Sequence, residues 1–285
     1  MKRTLPTTRQ QPSKPWKRIP LLFCSSLIEH RELLAQMAKR DIRSRYKGSA
    51  LGAGWALAQP LLMLGVYTFV FSGIFQSRWG DAEDSSTTTF AINLFAGLIV
   101  FSLVAECANT APNLVLANKN FVTKVVFPLE ILGASTVLAS LFQACISLLV
   151  LLVFECLTMH KLPSSLVLLP ATWAPLVLGC LAMTWVLSAV GVYFRDLGQI
   201  TGVCMQALMF LSAVFYPVNA LPEKLRSFSV LNPLIGAIDQ TRAIVVRAEW
   251  PSLTSLGIAS ASAVIACELA FRFFRKAKRG FADVI

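Results

Sequence analysis

Residues 51–75, LGAGWALAQPLLMLGVYTFVFSGIF, are 25 consecutive uncharged positions, entered directly from the basic stretch KRDIRSRYKGS at 39–49. At about 1.5 Å of rise per residue, a helix of that length crosses a hydrocarbon core about 30 Å thick. Lys and Arg beside a span favour the cytoplasmic side. The two segments therefore predict an amphipathic helix lying on the inner membrane surface, followed at once by a transmembrane span over 51–75.

The rest of the chain repeats the apolar pattern. Further spans are expected at 90–116, 131–157, 166–194, 200–218 and 253–274, in a chain that is 55% hydrophobic and 14% charged, with mean hydropathy +0.64. No run shows the alternation of a barrel strand, so the expected fold class is an all-α membrane protein with six transmembrane helices. An even number of crossings puts both termini on one side. With that side cytoplasmic, the inner pieces hold 20 Lys and Arg, and the outer ones only Arg78, Lys161, Lys224, Arg226, Arg242 and Arg247. That is the bias that orients spans. The net charge of +11 is thereby assigned to topology and anionic headgroups rather than to nucleic acid. Residues 1–28, basic and carrying Pro6, Pro12, Pro15 and Pro20, read as a disordered cytoplasmic tail. The first apolar span begins too late for a cleavable signal peptide. Seven scattered Cys without a Cys-x-x-Cys pair predict neither disulfides nor a metal site.

The breaks between spans are not plain linkers. In Asn118 to Glu130, Phe121, Val122, Val125 and Val126 recur at helical spacing with Lys119, Asn120 and Lys124 between them. Pro128 restricts Phe127, so the chain turns before the third span. This pattern suits either a solvated hairpin or a short helix that docks on a cytoplasmic partner. The next inner break, 192–199, sets Arg195 beside Asp196; neighbours in sequence do not share a helix face, so each needs its own partner or water. Outside, 216–252 is punctuated by Tyr216-Pro217, Leu221-Pro222, Asn232-Pro233 and Trp250-Pro251. A structureless loop of that length is unusual. Short re-entrant outer helices are expected between the fifth and sixth spans, as packing elements or as a gate over about 219–245.

Ionisable groups inside spans are costly and usually functional. Glu106, with Asn109 and Asn113 three and seven residues on, is expected to turn into the protein. Glu155 is expected to reach water, and Glu268 to make a surface ion pair with Arg272 four residues later. In the first span Gln59, Met63, Tyr67, Phe71 and Phe75 share one stripe; it fits helix packing or lipid contact, or else a wall along which sugar rings slide. No G-x-x-x-x-G-K-[ST], H-E-x-x-H or G-x-S-x-G occurs, so neither catalytic residues nor a P-loop nucleotide site is expected here.

Several segments together resemble one family. They are RDIRSRYKGSALGAGWALAQPLLM (40–63), NKNFVTKVVFPLEIL (118–132), YFRDLGQI (193–200), FYPVNALPEKLR (215–226), LNPL (231–234), DQTRAIV (239–245) and the terminal FADVI. The resemblance is to the membrane subunits of ABC-2-type transporters that export polysaccharides such as O-antigen, capsule and teichoic acid. It implies that residues 29–285 form a six-helix permease of the bacterial inner membrane, a homodimer paired with two copies of a separate P-loop ATPase. That ATPase would bind the ATP and Mg, so no cofactor is expected on this chain. The segment like 118–128 would be a coupling helix, with Asn118, Lys119, Asn120, Phe121, Val122, Lys124, Phe127 and Pro128 at the ATPase. The segment like 31–47 would be an interfacial helix. Phe215, Tyr216, Asn232 and Pro233 would belong to the outer gate, and Tyr67 and Phe71 would face the partner copy's fifth span across the channel. The cargo implied is a glycan on polyprenyl diphosphate. Arg40, Arg43, Arg45 and Lys47, with Tyr46, are candidate contacts for its diphosphate at the inner entrance. One departure stands out: Ser212-Ala213-Val214 precedes Phe215-Tyr216-Pro217, where Thr or Ser followed by Pro is usual. O-antigen is the expected cargo, with teichoic acid or capsule next. A membrane-embedded glycan polymerase or ligase would want paired outer carboxylates, and Asp81, Glu83 and Asp84 offer only a short loop.

Overall fold

Inside hydrocarbon no water can satisfy backbone N–H and C=O groups, so the chain must close its own hydrogen bonds within helices. The computed structural model describes residues 21–74, 87–123, 127–159, 163–217 and 232–285. The elements are α1 (Leu22–Glu29), α2 (Arg31–Tyr46), α3 (Trp55–Thr68), α4 (Thr87–Ala117), α5 (Lys119–Thr123) and α6 (Glu130–Met159). They continue with α7 (Leu169–Tyr193), α8 (Leu197–Leu211), α9 (Pro233–Val245), α10 (Leu253–Ala277) and α11 (Phe281–Val284). A π-helical stretch, Phe69–Ile74, prolongs α3. Among the described residues no strand is present.

α4 is the axis of the bundle. In an apolar stretch of 18 residues within Thr88–Ala117, 83% of the residues are buried, against 17% in the corresponding stretch of Gly52–Phe71 around α3 and 22% in that of Leu253–Val284 around α10. α3, α6, α7, α8 and α9 all pack on α4. The approach of α7 needs Gly191, because a Cβ there would run into the backbone of Pro112 in α4. Nearly two turns earlier on α7, Trp185 is fully buried. Its ring meets Phe23 of α1 at 6.4 Å and Phe271 of α10 at 5.0 Å, and its Nε1 donates to the Glu130 carbonyl at 2.9 Å.

Five described helices are long and apolar enough to cross a membrane: Gly52–Phe71, Thr88–Ala117, Glu130–Thr158, Ser164–Tyr193 and Leu253–Val284. The fifth expected span, 200–218, is different. Its helix α8 has 15 residues, about 22 Å of rise, which is shorter than the hydrocarbon core. It ends because Ala213 takes a φ of 53°, a left-handed conformation that no L-residue continues as helix. The tail expected over 1–28 also gives way early, since α1 begins at Leu22. The expected coupling residue Lys124 and the first gate helix, together with Phe75 of the aromatic stripe and the acidic residues Asp81, Glu83 and Asp84, lie outside the described residues.

Candidate functional site

At one end of the bundle, α2 is tied to α4 and α6 by polar side chains. Arg45 forms an ion pair with Glu106 of α4, and its Nη2 donates to Ser140 Oγ of α6 at 3.3 Å. Tyr46 Oη donates to Gln143 Oε1 at 2.5 Å, and Gln143 Nε2 donates to the Ala56 carbonyl of α3 at 3.1 Å. Ser135 Oγ donates to Asp41 Oδ2 at 2.7 Å. Burial pushes the Tyr46 phenol above its ordinary pKa, with Arg45 pulling it down and Glu106 adding to the rise. A carboxylate within a span needs such a partner. The four cations grouped together by sequence are thus divided. Arg45 is bound to Glu106, and Arg40 is drawn to Asp41 at 2.8 Å and lies 5.9 Å over the Phe121 ring. Arg43 and Lys47 remain exposed.

The expectation that this polar face, Glu106, Asn109 and Asn113, turns into the chain is corrected for Asn109 and Asn113, while Glu106 is half-buried against Arg45 of α2. Asn109, Thr110 and Asn113 are exposed, as is Ser102, and Glu106 is 34% exposed. Ser102, Glu106, Asn109 and Asn113 fall within about 60° of one another at 100° per residue. They form a polar stripe on the open side of an otherwise buried helix. Toward the other end the same side of α4 closes, with Phe95, Leu98 and Ile99 buried. α3 and α8 also pack on α4, and both present exposed apolar side chains, Leu61, Leu62 and Val66 on α3 and Ile200, Val203 and Phe210 on α8.

Between α4 and α6 lies an elbow whose described parts are α5 and the residues from Phe127 onward. Asn118 Nδ2 donates to the Leu114 carbonyl at 2.9 Å, closing α4, and the Asn118 carbonyl accepts from Phe121 N at 2.9 Å, opening α5. Phe121 stacks on Phe127 with centroids 4.5 Å apart, and both pack against the core with Val122. After Pro128, whose carbonyl accepts from Ile131 N, α6 starts at Glu130. Glu130 is a junction: Oε2 pairs with Lys278 at 3.1 Å, and Oε1 accepts from Ser26 Oγ of α1 at 3.4 Å. Lys278 also donates to the Phe127 carbonyl at 3.4 Å. Beyond it Phe281 is fully buried against Tyr193 and Phe274. Lys119 and Asn120 are exposed on the elbow.

At the opposite end, Arg242 of α9 is buried and clamps three backbone carbonyls. Nε donates to Asn93 O at 2.8 Å, Nη1 to Ala213 O at 2.8 Å and Nη2 to Val214 O at 2.6 Å. Burial draws its pKa down to about 9, opposed by Asp239, so it stays cationic at neutral pH. Gly97 of α4 makes room, since a Cβ there would lie 2.5 Å from Nη2. Asn232 caps α9 by accepting from Leu234 N at 3.1 Å, and its Nδ2 donates to Ser212 Oγ at 3.0 Å; Pro233 fills the first helical position, where a missing N–H costs nothing. Tyr216 Oη donates to the Phe210 carbonyl at 2.6 Å, and Phe215 stacks on Phe210 at 5.4 Å. The Ser212-Ala213-Val214 departure is thus held open by an arginine almost thirty residues downstream.

Residues 32–246 match the family described as ABC-2 type transporter. The chain belongs to that family. Among its relatives, the O-antigen export system permease protein RfbA of Myxococcus xanthus is 27% identical over 262 residues, 91% of this chain and 97% of that protein. A Klebsiella pneumoniae protein of the same name is 24% identical, covering 89% of this chain and 95% of its own length. The polysialic acid transport protein KpsM of Escherichia coli is 23% identical over 212 residues, 73% of this chain and 78% of that protein.

In this ABC-2 chain the expected residues divide by position. Tyr67 and Phe71 pack partly into the core, Phe71 against Phe90 at 5.2 Å, while Gln59 and Met63 of the same stripe are exposed. Arg195 and Asp196 are exposed and, among the described residues, bond to no side chain. Glu155 does not reach water: it is buried, and its Oε2 has no partner among the described residues. Glu268 is not a surface ion. It is buried, accepts from Phe23 N at 3.4 Å to anchor α1, and pairs with the exposed Arg272 at 2.8 Å. Sequence reading gave Glu130, Lys278 and Arg242 no role of this kind. The signals were there, in Phe127-Pro128-Leu129-Glu130 and in Arg242, the one basic residue of a helix whose other charge is Asp239.

Proposed function

We propose that this chain is the translocation subunit of an ATP-driven polysaccharide exporter in the bacterial inner membrane, working as a homodimer with two copies of a separate P-loop ATPase. The observation that carries the proposal is the stripe Ser102, Glu106, Asn109 and Asn113. Four polar residues on the open side of a span have no place against lipid. A second copy covering α3 and α8 would enclose them in a hydrated path suited to a glycan. The names of the relatives point to O-antigen as the cargo, carried on polyprenyl diphosphate; capsular polysaccharide is the second class, favoured by the polysialic acid relative. With both termini inside, α2 lies on the inner surface and the α5 elbow faces the ATPase. α9 then belongs to a re-entrant outer gate held by Arg242.

Drive would enter at α5. ATP-dependent closure of the partner moves the elbow, and the Glu130–Lys278 junction passes that movement to α1, α6 and α10. Coupling of this kind requires the ATPase to bind the two channel states with different affinity. The test is water access. Single Cys at 102, 109, 110 and 113, in a Cys145→Ser, Cys156→Ser, Cys204→Ser background, are treated with a membrane-impermeant thiol reagent in the assembled transporter. All four should react, and bulky labels should stop export. Protection of all four in a complex that still exports glycan would overturn the proposal.

A further inference from the structure

Two residues apart on a helix is about 200° of rotation, so Arg43 and Arg45 leave α2 on opposite sides. Lys39, Arg43 and Lys47 follow four-residue steps and share the side away from Arg45 and the polar stripe. All three are exposed, and among the described residues none meets a carboxylate or any other hydrogen-bonding partner. They edge a groove of about 1030 Å³ between α2, the start of α3 and the flank of α6. Its opposite wall is hydrocarbon: Leu57, Phe142 and Ile146 line it, with Leu57 46% and Phe142 41% exposed. The groove is therefore cationic at one rim and apolar along two spans, the profile of a lipid with a charged head.

We infer that this groove is a binding site for an anionic glycerophospholipid of the inner leaflet, its phosphate at Lys39, Arg43 and Lys47 and an acyl chain along Phe142 and Ile146. The inference rests on the inside placement of α2 proposed above. Basic pockets beside spans on the cytoplasmic side take such headgroups. A bilayer lipid fits better than the cargo carrier, because the groove opens away from the stripe that would conduct the glycan. Arg45 secures α2 to Glu106 from behind, so the cationic edge keeps its place without the lipid. An occupied groove would fasten α2 to the bilayer next to the elbow, where Arg40 reaches Phe121.

The test uses this chain with its ATPase, purified in detergent and examined by native mass spectrometry with phosphatidylglycerol, phosphatidylcholine or undecaprenyl diphosphate added at equal concentration. Wild type should retain phosphatidylglycerol about tenfold better than phosphatidylcholine. K39Q/R43Q/K47Q should lose that preference, while K276Q/R279Q, which removes exposed charge elsewhere, should stay within about twofold of wild type. Ile146→Trp fills the groove without touching a charge and should weaken retention as well, which keeps the test decisive if the triple variant folds poorly. Equal losses in K276Q/R279Q and K39Q/R43Q/K47Q would reduce the effect to diffuse surface charge and overturn the site. Displacement of phosphatidylglycerol by less undecaprenyl diphosphate would make the carrier the occupant and overturn the assignment. The export reading fails separately: a complex that binds phosphatidylglycerol as stated but moves no glycan keeps the site and loses the function.

Discussion

Arg242 offers the sharpest test of how the end of the bundle opposite α2 is built. Its guanidinium donates to Asn93 O, Ala213 O and Val214 O at 2.6–2.8 Å. A hydrogen bond from a charged donor contributes about 1.5–3 kcal/mol, and an orphaned buried carbonyl costs about 1–3 kcal/mol. Three such contacts in one network do not add fully, and Ala213 needs them to hold its left-handed turn. Arg242→Met is therefore expected to cost about 3–5 kcal/mol, and Arg242→Lys, which reaches fewer carbonyls, about 2–3 kcal/mol. Gly97→Ala should cost about 1–3 kcal/mol through overpacking against a guanidinium that cannot move aside, but much less once Arg242 is Met. Thermal inactivation of the purified transporter at one fixed scan rate measures all four corners of this cycle. Arg242→Met should lower the midpoint by roughly 10 °C. Midpoints for Arg242→Met and Arg242→Lys indistinguishable from wild type would refute the clamp, as would an equal cost of Gly97→Ala in both backgrounds.

Glu130→Gln and Lys278→Met should each lower glycan moved per ATP hydrolysed by about three- to tenfold, as expected for a lost contact of 1 kcal/mol or slightly more, with hydrolysis itself retained. The swap Glu130→Lys with Lys278→Glu should recover part of the ratio if the pair acts through its charge. Arg45→Met strands the Glu106 carboxylate inside a span and should destabilise by about 1–2 kcal/mol, while Glu106→Gln should cost less than about 1 kcal/mol; both figures are reduced because the pair is partly exposed. Thermal inactivation midpoints check the order, and an Arg45→Met protein as stable as Glu106→Gln would contradict it.

The spans were legible because a run of some 25 apolar residues carries its own signal, independent of what it packs against. The departures have a common origin in distance. Sequence spacing puts Glu106, Asn109 and Asn113 on one side of α4, but whether that side is covered depends on where α3, α6 and α7 settle. Arg40, Arg43, Arg45 and Lys47 look like one cluster in a string, while helical rotation sends Arg45 to Glu106 and Arg43 to open groove. α8 stops short because Arg242 holds Ala213 and Val214 from α9. Glu268 reads as half of a helix-surface pair until α1 brings Phe23 N against it from the other end of the chain. The pattern at 118–130 suits a solvated hairpin as well as the short helix α5, and the coupling role proposed for it comes from the resemblance alone. Its Phe121–Phe127 stack and the Lys278 brace came from packing.

Energy is held to reach this chain by contact at α5 rather than by chemistry of its own. The most direct measurement reconstitutes the chain in vesicles with and without its ATPase and follows nucleotide hydrolysis and polyprenyl-diphosphate glycan movement together, for wild type and Phe121→Ala. The expected result is neither activity without the ATPase, both with it, and Phe121→Ala retaining hydrolysis while glycan movement falls about tenfold, equivalent to some 1.4 kcal/mol of lost coupling. Glycan movement in vesicles that lack the ATPase, or a Phe121→Ala transporter that moves as much glycan per ATP as wild type, would contradict it.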